Sequence, residues 1–101
     1  MFKYINVILD NTLPNKILVD CTSNSIIPKY YDTLLNNNIG VVTPNKKGVS
    51  SDISLFKNLY QFYKKATFMF ETTVGAGLPI INLLESLVRC QHKITKIQIF
   101  S

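Results

Sequence analysis

The sequence has few of the residues that build metal centres or disulfide frameworks. Its 101 residues include two cysteines, Cys21 and Cys90, which lie far apart along the chain. His92 is two residues from Cys90, but no further Cys or His stands at ligand spacing. A structural zinc site needs a full tetrahedral set of such ligands, and a disulfide framework needs several paired cysteines. We therefore expect reduced thiols, as in a cytoplasmic protein.

Membrane-spanning and secretory segments are also missing from the sequence. No apolar run approaches the roughly 20 residues that cross a bilayer as a helix. Near the N-terminus, Tyr4, Asn6 and Asp10 interrupt the stretch in which a signal peptide would have its apolar core. We expect a soluble, cytoplasmic protein with no membrane partner.

Arginine is scarce although the chain is basic. The formal net charge is +5, but ten of the eleven basic residues are lysines and Arg89 is the single arginine. The lysines are scattered, and no helix collects them in a stripe with interleaved aromatic residues, as nucleic-acid-binding surfaces do. Solvated surface charge explains this pattern better than a nucleic-acid partner.

The apolar residues divide the chain into alternating helices and strands. Hydrophobic residues make up 47% of a chain long enough for one small domain. The predicted helices cover residues 2–9, 28–35, 53–63 and 79–88, and the predicted strands cover residues 17–19, 39–43, 67–70 and 94–99. The continuous run Ile17-Leu18-Val19 is typical of a parallel strand buried on both faces. This alternation predicts an α/β fold with a parallel sheet.

Ligands of parallel sheets gather where loops leave the carboxyl ends of the strands. Three predicted loops lie there, at residues 21–25, 43–48 and 71–77. In the first, Thr22 and Ser23 are suited to hydrogen-bonding a ligand or to capping the next helix. In the second, Lys46 follows Pro44 and Asn45, and its charge would suit an anionic ligand, a polarised carbonyl or plain solvation.

The third loop combines an acidic residue with two glycines, Gly75 and Gly77. Glycines permit positive φ and let the backbone approach a ligand closely. The turn could hold a phosphate at the start of the next helix, or a cation on Glu71 and inward-facing carbonyls. A plain turn between a strand and a helix is an equally good interpretation, because Gly-x-Gly alone is a weak signal.

Three motifs point to a family when they are taken together. VDCTSN (19–24), VVTPNKKGVS (41–50) and FETTVGAGLPIINLLESL (70–87) resemble, in order and spacing, homoserine dehydrogenase. The resemblance includes the dehydrogenase half of bifunctional aspartokinase/homoserine dehydrogenases and spans nearly the whole chain. It implies NAD(P)-dependent interconversion of L-homoserine and L-aspartate 4-semialdehyde, in threonine and methionine biosynthesis, by an enzyme expected to be a homo-oligomer.

The resemblance also implies roles for individual residues. Thr22, Ser23, Asn45 and Lys46 would bind the NAD or NADP cofactor, and Lys46 would support the chemistry at the reacting centre. The side chain of Glu71 and the carbonyls of Val74, Ala76 and Leu78 would hold a monovalent cation, Na⁺. Residues 1–73 would be the C-terminal part of a Rossmann-like NAD(P)-binding domain. Residues 74–101 would begin an α+β catalytic domain.

The chain departs from the family pattern in two ways. The Gly-x-Gly-x-x-Gly fingerprint of the first Rossmann strand is absent. The family's substrate-binding acidic residues and its main catalytic lysine would lie beyond Ser101. We therefore expect a fragment that is inactive alone and marginally folded, with an exposed apolar sheet edge. The alternative is a non-catalytic remnant or a small nucleotide-binding or assembly module of the same ancestry.

Overall fold

A three-stranded parallel sheet forms the centre of the molecule. The computed structural model describes residues 2–75, 77–98 and 100. The strands, in spatial order, are β1 (Ile17–Val19), β2 (Gly40–Val42) and β3 (Phe68–Met69). In the middle strand, Val41 lies opposite Leu18 of β1 and Phe68 of β3. The prediction of an α/β fold with a parallel sheet is confirmed.

Helices precede, connect and follow the strands. They are α1 (Phe2–Asp10), α2 (Tyr31–Asn36), α3 (Lys47–Ser50), α4 (Ile53–Lys64) and α5 (Ile80–Arg89), with 3₁₀ helices at Ile27–Tyr30 and Glu71–Thr73. Pro28 lies in the first turn of the 3₁₀ helix that leads into α2. Its ring fixes φ near the helical value, so proline is favourable at this position. Asp52 caps α4, because its carboxylate accepts the backbone N–H of Ser54 at 2.8 Å. Among the described residues, no helix has the length and apolar character that a bilayer crossing requires.

The hydrophobic core lies against one face of the sheet. Val41 and Phe68 are fully buried there, and Leu18 packs against the core from β1. The other buried hydrophobic residues are Ile5, Tyr31, Leu34, Leu35, Ile39, Leu59 and Phe70. The helices predicted at residues 28–35 and 53–63 therefore supply core residues, from α2 and α4. Apolar burial of this kind is the main force that holds such a sheet and its helices together.

The opposite face of the sheet is largely uncovered. Ile17 and Val19 are 66% and 62% exposed, and Val42 and Met69 are 41% and 40% exposed. The prediction that the strand at residues 17–19 is buried on both faces is therefore wrong. Successive side chains of a strand point to opposite faces, and in this chain only one face of β1 packs against the core.

Two local predictions were also wrong. Residues 45–48, expected to form a loop, run into the short helix α3, whose amino end lies at Lys46. The expected strand at 94–99 is absent from residues 94–98, while Ile99 lies outside the described residues. Ile94 and Ile97 instead line an apolar groove with α5, and no described strand lies beside them to supply the backbone hydrogen bonds of a ladder.

Gly48 of α3 offers a test of how tightly the helices pack over the sheet. A Cβ at this position would lie 2.9 Å from Cε2 of Tyr31 and 3.2 Å from Cβ of Pro28, both in buried residues. We predict that Gly48→Ala lowers the free energy of unfolding by roughly 1–3 kcal/mol through overpacking. Urea-induced unfolding followed by circular dichroism measures this change.

Gly40→Ala is the matched control. Its Cβ would meet nothing closer than 3.5 Å, and alanine is more favourable than glycine inside a strand. Stability should stay constant or increase. An equal loss of stability in both variants would contradict the packing explanation.

Candidate functional site

The carboxyl ends of β1 and β2 carry two adjacent loops, which we call the first loop (residues 21–25) and the second loop (residues 43–47). Together they form a cavity of about 190 Å³. The residues that line it are Thr22, Ser23, Pro44, Asn45, Lys46 and Lys47. The cavity therefore lies where parallel α/β sheets bind their ligands.

The four residues that the sequence assigned to cofactor binding all line this cavity. Thr22, Ser23 and Lys46 are exposed. Asn45 is only 2% exposed, and its side chain is engaged within the protein. Its Nδ2 donates to Asp20 Oδ2 at 3.1 Å and to the carbonyl of Asn24 at 2.8 Å, and its Oδ1 accepts the N–H of Lys47 at 3.1 Å.

A buried carboxylate, Asp20, lies at the base of the two loops and is 3% exposed. Its Oδ1 accepts the backbone N–H of Thr22 at 2.9 Å and the Thr22 hydroxyl at 2.7 Å. Its Oδ2 accepts the hydroxyl of Tyr31 and the Asn45 amide. An ionised carboxylate accepts about four hydrogen bonds, so Asp20 is saturated with donors.

The hydrogen bonds decide the charge of Asp20. Burial raises the pKa of this carboxyl, but donors from Tyr31, Thr22 and Asn45 together outweigh burial and leave its pKa below the ordinary value. Burial also raises the pKa of the Tyr31 phenol, and its bond to Asp20 raises it further. At neutral pH the pair is therefore a carboxylate accepting from a neutral phenol.

Thr43 joins this network at the end of β2 and is 2% exposed. Its hydroxyl donates to the backbone carbonyl of Asp20 at 2.7 Å and accepts the N–H of Asn45 at 2.8 Å. The same oxygen lies 3.2 Å from the Tyr31 hydroxyl. Thr43 therefore ties the second loop to the end of β1.

Sequence reasoning missed Asp20, Tyr31 and Thr43 as parts of the site. The sequence did contain one signal. Asp20 directly follows an apolar strand, and a carboxylate that is buried there requires hydrogen-bond donors nearby. Tyr31 is at helical spacing from Leu34 and Leu35, so the sequence indicated a core residue. Nothing in this spacing indicated that its hydroxyl bonds a carboxylate. These three residues come together only in the folded chain, since Tyr31 and Thr43 are 11 and 23 residues from Asp20 in sequence.

The residues predicted to hold a cation lie between β3 and α5. Glu71 is half-buried, and its two carboxylate oxygens lie 3.2 and 3.1 Å from the backbone nitrogen of Asn82 in the first turn of α5. Val74 and Leu78 are exposed, and the carbonyl of Leu78 accepts the N–H of Ile80 at 3.0 Å. Ala76 lies outside the described residues.

The glycines shape this turn as expected. Gly77 has φ of +74°, which other residues rarely adopt, and a Cβ at Gly75 would lie 2.9 Å from the side chain of Leu78. In the part of the chain that the structure describes, no group of three or more His, Cys, Asp or Glu side chains could hold a metal. The acidic donor that this turn offers is the carboxylate of Glu71, besides hydroxyl and backbone carbonyl oxygens.

Comparison with protein families matches residues 3–71 to the model described as "Homoserine dehydrogenase, NAD binding domain". The match covers the whole sheet and the two loops of the cavity. It ends at Glu71.

Individual relatives carry names that agree with this match. The chain is 47% identical over 84 residues to a homoserine dehydrogenase of Emericella nidulans and 42% identical over 87 residues to that of Saccharomyces cerevisiae. It is 37% identical over 86 residues to a bifunctional aspartokinase/homoserine dehydrogenase of Buchnera aphidicola. These alignments include 81–84% of this chain but 23%, 24% and 10% of the relatives, respectively. The chain thus spans a quarter or less of the proteins that it resembles.

A solved structure supports the fold. The chain superposes on a Candida auris protein of unknown function with a TM-score of 0.67 and 42% sequence identity. The superposition includes 75% of this chain and 22% of the other.

The lowered pKa of Asp20 predicts a specific dependence of stability on pH. Because the pKa in the folded state lies below the ordinary 3.8, the carboxylate stabilises the fold fully above that value. This contribution is lost as the pH falls through the pKa of the folded state. Asp20→Asn should lower the free energy of unfolding at pH 7 by roughly 1–3 kcal/mol and reduce its loss in acid.

Urea unfolding at a series of pH values from 7 to about 2 measures both effects. Asp10→Asn is the control, because it removes the same charge from an exposed position at the end of α1. A wild-type acid dependence that persists unchanged in Asp20→Asn would contradict the assignment.

Proposed function

Because the chain belongs to the homoserine dehydrogenase family through its NAD-binding domain, we propose that it forms part of an NAD(P)-dependent homoserine dehydrogenase. Such an enzyme interconverts L-homoserine and L-aspartate 4-semialdehyde, a step of threonine and methionine biosynthesis. The observation that carries the proposal is the cavity between the first and second loops, whose lining includes Thr22, Ser23, Asn45 and Lys46.

The cavity suits one portion of a dinucleotide. Sites that enclose a whole small molecule have volumes of about 300–1,000 Å³, whereas this cavity measures about 190 Å³. Its lining offers the hydroxyl groups of Thr22 and Ser23 and the charge of two lysines, which match the amide, ribose and phosphate groups of NAD(P). We assign it to the nicotinamide side of the cofactor, with the remaining contacts made outside this chain.

Each residue of the cavity has a separate proposed role. Thr22 and Ser23 would hydrogen-bond the cofactor from the first loop. Lys46, exposed at the amino end of α3, would attract its negative charge and stabilise charge that develops at the reacting centre. Asn45 would form part of the wall against the cofactor, with its side-chain amide kept in place by the bonds to Asp20 and Asn24. The bound nicotinamide would supply the hydride chemistry.

We also propose that the chain contains parts of two domains. Residues 1–73 would complete the NAD(P)-binding domain, which agrees with a family match that ends at residue 71. Residues 74–101 would begin the catalytic domain. In support, α5 has no fully buried residue, and its Leu83 and Val88 are each 57% exposed. We further propose that the whole enzyme is a homo-oligomer.

Binding of NADPH to the isotopically labelled chain tests the nucleotide site. We predict that NADPH shifts the NMR signals of the first and second loops more than those of α4. Lys46→Met should weaken binding about tenfold or more, because a hydrogen bond to a charged group typically contributes about 1.5–3 kcal/mol. Lys57→Met, which removes the same charge from an exposed position of α4, is the control and should bind as the wild type does. The proposal fails if millimolar NADPH leaves both loops unshifted.

We propose in addition that the turn after β3 binds Na⁺. The side chain of Glu71 and the carbonyls of Val74, Ala76 and Leu78 would be its ligands. A single carboxylate with neutral carbonyls offers little negative charge and hard oxygen donors, which suits a monovalent ion. The carboxylate of Glu71 would then bind the ion and also accept the backbone N–H of Asn82 in the first turn of α5.

Sodium should accordingly raise the melting temperature of the chain at constant ionic strength, with choline chloride as the balancing salt. Glu71→Gln should remove this effect, whereas Glu85→Gln on α5 should retain it. Differential scanning fluorimetry measures the shift. Equal stabilisation by sodium and choline in the wild type would rule out the site.

A further inference from the structure

The two loops of the cavity are held together by three side chains that are almost completely buried. Asp20 and Asn45 are 3% and 2% exposed, and Tyr31 is fully buried. Asn45 lines the cavity, but its side-chain oxygen and nitrogen are already hydrogen-bonded within the protein, and Asp20 and Tyr31 are not among the lining residues. Their hydrogen bonds therefore act on the loops and not directly on a ligand.

The carboxylate of Asp20 divides its four hydrogen bonds between the two loops and α2. Oδ1 takes both donors of Thr22, one from the backbone and one from the hydroxyl. Oδ2 takes the Asn45 amide and the Tyr31 hydroxyl. One oxygen thus orders the first loop and the other orders the second loop.

Asn45 makes a direct connection between the loops. Besides Asp20 it bonds the carbonyl of Asn24, 21 residues away, at 2.8 Å. The side chain of Asn24 in turn accepts the backbone N–H groups of Ile26 and Ile27 and so fixes the end of the first loop. The separation of the loops, and with it the width of the cavity, depends on this amide.

Tyr31 fixes the position of the carboxylate from the core side. Its ring packs 5.9 Å from the ring of Phe68 between centroids and has Gly48 of α3 directly against it. The hydroxyl can therefore change its direction very little. Because the rigid Tyr31 phenol holds Oδ2 of Asp20 in place, the other oxygen, Oδ1, stays directed at the backbone N–H of Thr22.

We propose that Asp20, Tyr31 and Asn45 are positioning residues that set the geometry of the first and second loops for the nicotinamide side of NAD(P). This inference rests on the proposed function. Removing one of these hydrogen bonds should loosen the loops and weaken NADPH binding, and it should accelerate local opening of the loops more than opening of the sheet beneath. A residue of purely structural importance would instead affect sheet and loops alike.

Tyr31→Phe tests the proposal, because it removes the hydroxyl and leaves the buried ring. The first measurement is amide hydrogen exchange at Thr22 and Asn45, whose N–H groups bond Asp20 Oδ1 and Thr43 Oγ1. The reference is Val41, whose N–H bonds the carbonyl of Thr67 inside the sheet. We expect exchange at Thr22 and Asn45 to accelerate roughly tenfold more than at Val41, and NADPH affinity to fall roughly tenfold.

Tyr4→Phe is the matched control, because Tyr4 lies on α1 with 71% of its surface exposed. It should leave exchange and NADPH affinity unchanged. Asn45→Ala provides a second variant that removes the link between the loops, and it decides the question if Tyr31→Phe does not fold. Loosening of the loops and weaker binding should appear in Asn45→Ala as well.

The outcomes separate this inference from the proposed function. If exchange accelerates by the same factor at Val41 as in the loops, or does not change, the positioning role is wrong. Unaltered NADPH affinity in a variant with loosened loops would also overturn it. If the wild-type chain does not bind NADPH at all, the proposed nucleotide site fails, and the exchange pattern alone then decides whether these residues order the loops.

Discussion

The site depends on the requirement that a buried carboxylate be fully hydrogen-bonded. An unpaired charge in the position of Asp20 would be very costly, so burial is tolerated only because donors fill both of its oxygens. Those donors come from the first loop, the second loop and α2. Satisfying one charged group therefore fixes three separate segments relative to each other, and the cavity at the carboxyl ends of β1 and β2 follows from that arrangement.

The same requirement explains why this end of the sheet is polar while the centre is not. Strands β1 and β2 contribute apolar side chains along their length, and then Asp20 and Thr43 at their carboxyl ends. Tyr31 belongs to both environments, with its ring against Phe68 in the core and its hydroxyl on the carboxylate. Packing of the core thus determines the direction of the phenol, and the phenol contributes to the direction of the carboxylate. Core packing and site geometry are coupled through this one side chain.

Much of the fold could be predicted from local patterns. The apolar stripes of α2 and α4 and the short apolar strands depend on residues near each other in sequence, and the structure has these elements. Burial was predicted less well, because an apolar run such as Ile17-Leu18-Val19 does not indicate whether other elements cover one face of the sheet or both. The β-branched residues from Ile94 to Ile97 favoured a strand, yet no described strand is available to pair with them.

The site could be predicted only in part. Loops at the ends of parallel strands and the family motifs identified Thr22, Ser23, Asn45 and Lys46, and these four residues do line one cavity. The groups that hold them were not identified, because a hydroxyl of Tyr31 on a helical stripe gives no sign that it faces a carboxylate 11 residues earlier. Family motifs pointed to residues that line the cavity, whereas the residues that support them become visible only when their donors and acceptors are paired in space.

The attachment of α5 follows a different physical pattern from that of the other helices. Its polar side joins the rest of the molecule, since Glu85 accepts the hydroxyl of Tyr60 and the N–H of Asn82 faces Glu71. The bond to Glu85, with partial burial, raises the pKa of Tyr60 to about 12, so this contact persists through the neutral range. Ile81 also packs against the core, but Leu83 and Val88 stay exposed. Apolar surface left over in this way is what the first helix of a second domain would have, and this supports the proposed division after residue 73.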